Sequence, residues 1–126
     1  MHFDLGEGYG KTSWNVRAIW ENYTGWFHHR ATTELYHVPV EAVAGDLVDA
    51  AGADALVARA RTRLDAGEPL HAIHLAELVL AGEPGHIGAH TAAAEAHERL
   101  LADSTNFWEK AWLRHAAARH RAAGSA

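Results

Sequence analysis

Hydrophobic positions recur at helical spacing along nearly the whole chain. From Trp14 onward, Val16, Ile19, Trp20, Tyr23 and Phe27 fall at i, i+3, i+4, i+7 and i+11, one continuous apolar face. Ser13 is placed to cap this helix and Gly25 to end it. That face is expected to join the domain's own core. Residues 26–38 read as an irregular connection. Pro39 suits the first turn of a helix that runs to about Ala51 and stops at Gly52. Asp54 is a candidate cap for a helix over 55–66, with Gly67 after it, and Pro69 opens another that ends near Ala81 before Gly82. A further helix covers roughly 86–102. Asn106 and Glu109 have the spacing of a capping box for a last helix reaching about Ala122. No segment alternates convincingly as a strand does. The pattern therefore predicts one all-α domain over residues 1–126, with Gly6, Gly8 and Gly10 making residues 1–12 a flexible lead-in loop.

The middle of the chain adds a rhythm. In GEPLHAIHLAELVLAGEP, Gly67, Ala72 and Pro84 stand at offsets that resemble the second half of a tetratricopeptide unit: a glycine turn, a small residue at a helix crossing, a terminating proline. The next helical pair begins about 32 residues later, close to the expected repeat length. Ala60 and Ala94 are small enough to let helices approach closely. Two such pairs are too few to stand alone as an array, so another element must cover their ends. The aromatic helix at 14–27 is the candidate, giving tetratricopeptide-like hairpins packed with an N-terminal aromatic helix.

Composition narrows the class. A chain of 126 residues with 48% hydrophobic and 21% charged residues suits a single globular core. The formal charge of −5 disfavours nucleic acid as a partner, since the only locally basic stretch is the short Arg114–Arg121. Without cysteine there are no disulfides and no thiolate metal ligands. No run is long and apolar enough to span a bilayer. The opening MHFDLGEGYG is acidic and lacks an apolar segment, so no signal peptide is expected and the cytoplasm is favoured.

Candidate chemistry is sparse. Eleven histidines are scattered through the chain. His86 and His90, or His71 and His74, could share a helix face, but neither pair has the glutamate of an H-E-x-x-H site. His28 and His29, followed by Glu34 and His37, are the better-placed metal candidates. Adjacent histidines tend to diverge, however, and the plainer reading is polar residues at a subunit or domain boundary. Ser13 and Ser104 read as helix-start residues, and no serine stands in a nucleophile elbow. Asp46 and Asp49 belong to a solvated helix face. GEGYGK lacks phosphate-loop spacing, yet a glycine-flanked Tyr9 before a helix N-terminus is a plausible seat for an oxyanion, with Lys11 and Arg17 adding positive charge.

Five tryptophans are hard to bury inside one small domain. Trp14 and Trp26 fall partly off the apolar stripe, and Trp108 and Trp112 make an i, i+4 pair on the last helix. Aromatic residues left at a surface are enriched where another protein covers them. Trp14, Trp26, Trp108 and Trp112 are therefore the candidate interface residues.

These residues also carry a resemblance. GYG, then S-W-N-V-R-A-I-W-E-N-Y-T-G-W-F, G-A-D-A-L, A-G-E-P-L-H-A, E-P-G-H and N-F-W-E-K-A-W-L-R follow one another from Gly8 to Arg119 in an order similar to the alkyl sulfatase dimerisation domain. That is the helical middle domain of alkylsulfatases built on the metallo-β-lactamase fold. The resemblance implies an interlocked homodimer, joined in cis or in trans to a catalytic domain that uses zinc to hydrolyse alkyl sulfate esters. The H-x-H-x-D-H ligand run of such a catalytic domain is absent here, so no catalytic residue and no cofactor are expected in this chain. By the same analogy the GYG loop lies near an active-site mouth, which makes Tyr9 the first candidate for sulfate contact. From other classes, the alternatives are a peptide-binding helical adaptor using a groove between the pairs at 54–81 and 86–122, and a small His-rich metal-binding protein.

Overall fold

The computed structural model describes residues 10–25, 30–35 and 41–125. Six helices and one short 3-10 turn (Thr32–Leu35) account for nearly all of them, and no strand occurs among the described residues. In chain order the helices are α1 (Thr12–Thr24), α2 (Glu41–Ala51), α3 (Ala53–Asp65), α4 (Pro69–Gly82), α5 (Ile87–Asp103) and α6 (Phe107–Gly124). The all-α expectation is met. Phe27 and Pro39, assigned to helices by the pattern, lie outside the described residues.

Helices α3 to α6 run up and down in sequence. The start of α3 meets the start of α5 where His86 Nε2 lies 3.2 Å from Asp54 Oδ1. Their far ends meet where Arg99 donates to the Leu64 carbonyl at 2.9 Å, so α3 and α5 point the same way. Between them α4 returns in the opposite direction. Gly124, at the end of α6, comes back to His90 and Thr91 near the start of α5. The turn from α3 to α4 is a Schellman motif: Gly67 N–H donates to the Leu64 carbonyl at 3.1 Å and Glu68 N–H to the Arg63 carbonyl at 2.9 Å. Gly67 makes this possible by adopting φ 76°, where a side chain would be strained. Pro69 follows at the first turn of α4, as expected.

The core is built from small residues. Ala60 and Leu64 of α3, Ala72 and Ile73 of α4, and Ala92 and Ala96 of α5 form one buried cluster. Val57, Val79 and Ala89 form a second. Alanine at the crossings lets the helices approach closely and leaves little volume for a ring. Helix α2 adds Ala44 and Val48, packed mainly against α4. Gly82 allows that contact, because a Cβ there would lie only 3.1 Å from Val48 Cγ2 and 3.3 Å from Gly45 Cα.

Three local expectations are corrected. Ser13 does not cap α1: the N-cap is Lys11, whose carbonyl accepts from Trp14 N–H at 3.0 Å. Asp54 does not cap α3, because Gly52 takes the N-cap at φ 84° and Asp54 sits in the first turn. The largest correction concerns α1, which does not join the core. Val16, Ile19, Trp20 and Tyr23 are 57–83% exposed, and no other described element packs along this helix. Periodicity shows that a helix has an apolar face, not whether its own chain covers it.

Candidate dimer interface

Most of the exposed large apolar side chains among the described residues, and all of the exposed aromatic ones, lie on two helices. On α1 they are Trp14, Val16, Ile19, Trp20 and Tyr23; on α6 they are Phe107, Trp108 and Trp112. Helix α6 turns its other side inward through Leu113, Ala116, Ala117 and His120, at i, i+3, i+4 and i+7. With that face committed to α5, Trp108 and Trp112 are left outside. Phe107 and Trp108 meet edge to face, their ring centroids 5.3 Å apart. Scattered exposed apolar residues are ordinary, but several large ones grouped on a helix that nothing described covers mark a surface for a partner.

A polar network joins the two helices at their N-terminal ends. Lys11 Nζ donates to Glu109 Oε1, and the Ser104 hydroxyl donates to Glu109 Oε2 at 2.7 Å. The Asn106 side-chain oxygen accepts from Glu109 N–H at 3.0 Å, capping α6 as the spacing predicted. Lys11 first, then the Ser104 hydroxyl, hold the Glu109 carboxyl below the usual carboxylate range, while partial burial opposes them. Lys11 Nζ also stands 5.6 Å from the Trp14 ring centroid, within reach of a cation–π attraction.

The candidates for oxyanion contact fare differently. Lys11 is committed to Glu109, so an anion would have to compete for it. Arg17 is exposed on α1 and only loosely paired with Glu21, at 3.8 Å. Tyr9 lies outside the described residues, as do Trp26, His28, His29 and His37. Glu34, weighed with those histidines as a metal ligand, accepts from the N–H groups of Arg30 and Ala31 at 3.0 and 3.1 Å. Among the described residues no group of three or more histidine, aspartate or glutamate side chains is arranged to hold a metal ion. His86 and His90 diverge: His86 Nδ1 accepts from Ala89 N–H at 3.2 Å, whereas His90 turns to His120. His71 reaches only toward Glu68, at 3.9 Å, and His74 is exposed.

Two features escaped the sequence reading. The Lys11–Glu109 pair joins residues 98 positions apart and leaves no local signature. The second is a cluster of His90, His97 and His120 between α5 and α6, with His97 and His120 buried and His90 half-buried. A partial signal existed, since His120 continues the Leu113, Ala116, Ala117 stripe and His97 lies seven residues after His90.

Comparison with known proteins gives a consistent result. The alkyl sulfatase dimerisation family model matches residues 2–123. An (R)-specific secondary-alkylsulfatase from Pseudomonas sp is 27% identical over 106 residues, covering 83% of this chain. The matched region is 16% of that relative's length. No solved structure matches.

Proposed function

The chain belongs to the alkyl sulfatase dimerisation family, and from that premise we propose that it pairs with a second copy of itself through the aromatic faces of α1 and α6. One observation carries the reading: α1 bears tryptophan, tyrosine and branched aliphatic side chains that no described part of its own chain covers. A helix as short as α1 is marginal in water without tertiary packing, so a partner surface is the natural source of its stability. Trp14 and Trp20 on α1, with Trp108 and Trp112 on α6, are the proposed anchors, because indole burial dominates interface energetics. Trp26 joins them on the ground of the sequence alone.

The dimer serves a larger enzyme in this reading. The parent hydrolyses alkyl sulfate esters in a metallo-β-lactamase-type domain supplied in cis or in trans, and zinc belongs to that domain. The described residues here offer no donor set for the metal, so no catalytic step is assigned to them. Their contribution is to hold two catalytic units together. Arg17, carried on α1, and Tyr9 are the proposed contacts toward sulfate.

Sedimentation velocity across a dilution series tests the central proposal. A concentration-dependent dimer is expected, with its tryptophan emission shifting to longer wavelength as the subunits separate. A folded monomer up to high micromolar concentration would overturn it.

A further inference from the structure

The three histidines between α5 and α6 form a chain of hydrogen bonds whose proton positions follow from their partners. His90 Nε2 lies 2.9 Å from the Pro84 carbonyl, which only accepts, so Nε2 carries the proton. In a neutral ring His90 Nδ1 is then a lone pair. His120 Nδ1, 2.9 Å away, must be the donor. That leaves His120 Nε2 as the acceptor facing Arg119 Nη2, at 3.4 Å. His97 is fixed separately, with Nδ1–H donating to the Ala93 carbonyl at 2.7 Å, and its ring stacks on His120 with centroids 5.5 Å apart. His97 and His120 are buried. With both rings neutral, this assignment of donors and acceptors satisfies the contact between His90 and His120.

We propose that the His90–His120 imidazole pair is an acid-released latch between α5 and α6, shut while both rings are neutral and opened by uptake of a single proton. A proton on His90 Nδ1 would either oppose the N–H of His120 or drive that ring's proton to Nε2, where it faces the Arg119 guanidinium. A proton on His120 Nε2 would point at the Arg119 guanidinium and give a buried ring a charge. Either event replaces a hydrogen bond with repulsion. The charged and titratable groups that bear on His120 are Arg119 on its own helix and His97 and His90 from α5, the one described helix that packs on α6; no carboxylate is among them to hold an imidazolium. Burial chiefly, then Arg119, His97 and His90, push the His120 pKa down to about 4. Glu98 and Arg121, one residue further along each helix, form a second link at 2.7 Å. Arg121 holds the Glu98 carboxyl below the usual carboxylate range, which keeps that link charged as the pH falls toward 4.5.

The sign is set by linkage. A histidine that titrates near 6.5 when released and near 4 when latched binds more protons in the open state, so the latch is fully effective above about pH 6.5 and weakens as pH falls toward 4. Amide hydrogen exchange at pH 7 and pH 4.8, each corrected for the intrinsic rate, reads this directly. In the full chain, protection of the α6 amides from Ala116 to Arg121 is expected to fall at least tenfold at the lower pH, while α3 and α4 amides keep theirs. The double variant His90→Gln/His120→Phe removes both imidazoles of the latch and is expected to show the same α6 protection at both pH values. Uniform loss over all helices, or an unchanged acid response in the double variant, overturns the latch. Should the double variant not fold, the titration of His120 in the unmodified chain, followed by ring-nitrogen NMR, decides. Titration near 4 supports the latch and titration near 6.5 overturns it.

Discussion

Lys11 and Glu109 are 98 positions apart, yet the Lys11 ammonium lies 2.5 Å from Glu109 Oε1 and fastens the start of α1 to the first turn of α6. The same carboxylate is held by the Ser104 hydroxyl, and its backbone N–H is capped by Asn106. Helix α1 thus begins at a defined point on the domain, although nothing described packs along the rest of it. A helix anchored at one end and bare along its apolar face is disposed to meet a second subunit.

Removing an anchor should therefore weaken association and leave the protomer intact. Trp20→Ala and Trp112→Ala each delete an exposed ring, 62% and 67% accessible in the protomer, so neither opens a cavity in the core. Each is expected to raise the dimer dissociation constant by roughly 30-fold or more, the effect of a ~2–4 kcal/mol hot spot. Analytical ultracentrifugation measures this, and an unaltered constant in both variants removes these rings from the interface.

Lys11→Met tests the tether. The pair is partly exposed, so its direct contribution to stability is small, about 1 kcal/mol or less. The acid response is more telling. Glu109 titrates below its ordinary value of 4.5 in the folded chain, so its contribution is present above that pH and is lost as pH falls through the depressed folded value. Thermal unfolding between pH 6 and pH 3 should show less of this loss in Lys11→Met than in the parent. Identical profiles would mean that the tether is not formed in solution.

Asn106 is 1% exposed, and its side-chain oxygen accepts from the Glu109 N–H. Asn106→Ala leaves that donor without its cap at a buried helix start and should cost about 1–2 kcal/mol. Asn106→Asp keeps the acceptor and should recover most of the loss. Urea denaturation of the three proteins compares them, and an Ala variant as stable as the parent contradicts the capping role.

Gly82 and Val48 test the seating of α2. An added Cβ at Gly82 meets Val48 Cγ2 at 3.1 Å and the Gly45 backbone at 3.3 Å, contacts that flexing one side chain cannot fully relieve. Gly82→Ala is expected to destabilise by about 1–3 kcal/mol, as overpacking does, even though alanine favours helix. Combined with Val48→Ala, the penalty of the Gly82 change should shrink. A simple sum of the two single effects would show that the close approach does not govern this junction.

Much of the local architecture was legible because it depends on short-range chemistry. Pro69 opening α4, Gly25 ending α1 and Asn106 capping α6 all follow from groups within a few residues of one another. Where two neighbouring signals competed, the reading failed: Asp54 is a good capping residue, but Gly52 tolerates the backbone angle that the α2–α3 corner needs. The same limit applied to the histidines. Spacing paired His86 with His90 on one helix, whereas the fold sends one to Asp54 and the other to His120.

By itself the sequence determined the helical periodicity, the positions of most helix ends, and an aromatic content too large for a core whose crossings are alanine. Each of these is a property of neighbouring residues or of composition. Only the tertiary structure decided which apolar faces the chain covers for itself. It placed Val16, Ile19, Trp20 and Tyr23 outside, paired Lys11 with Glu109, and closed the imidazoles of His90 and His120 on each other. The physical reason is that burial depends on which distant segment arrives to displace water, and an amphipathic pattern is the same whether its cover comes from the same chain or from another.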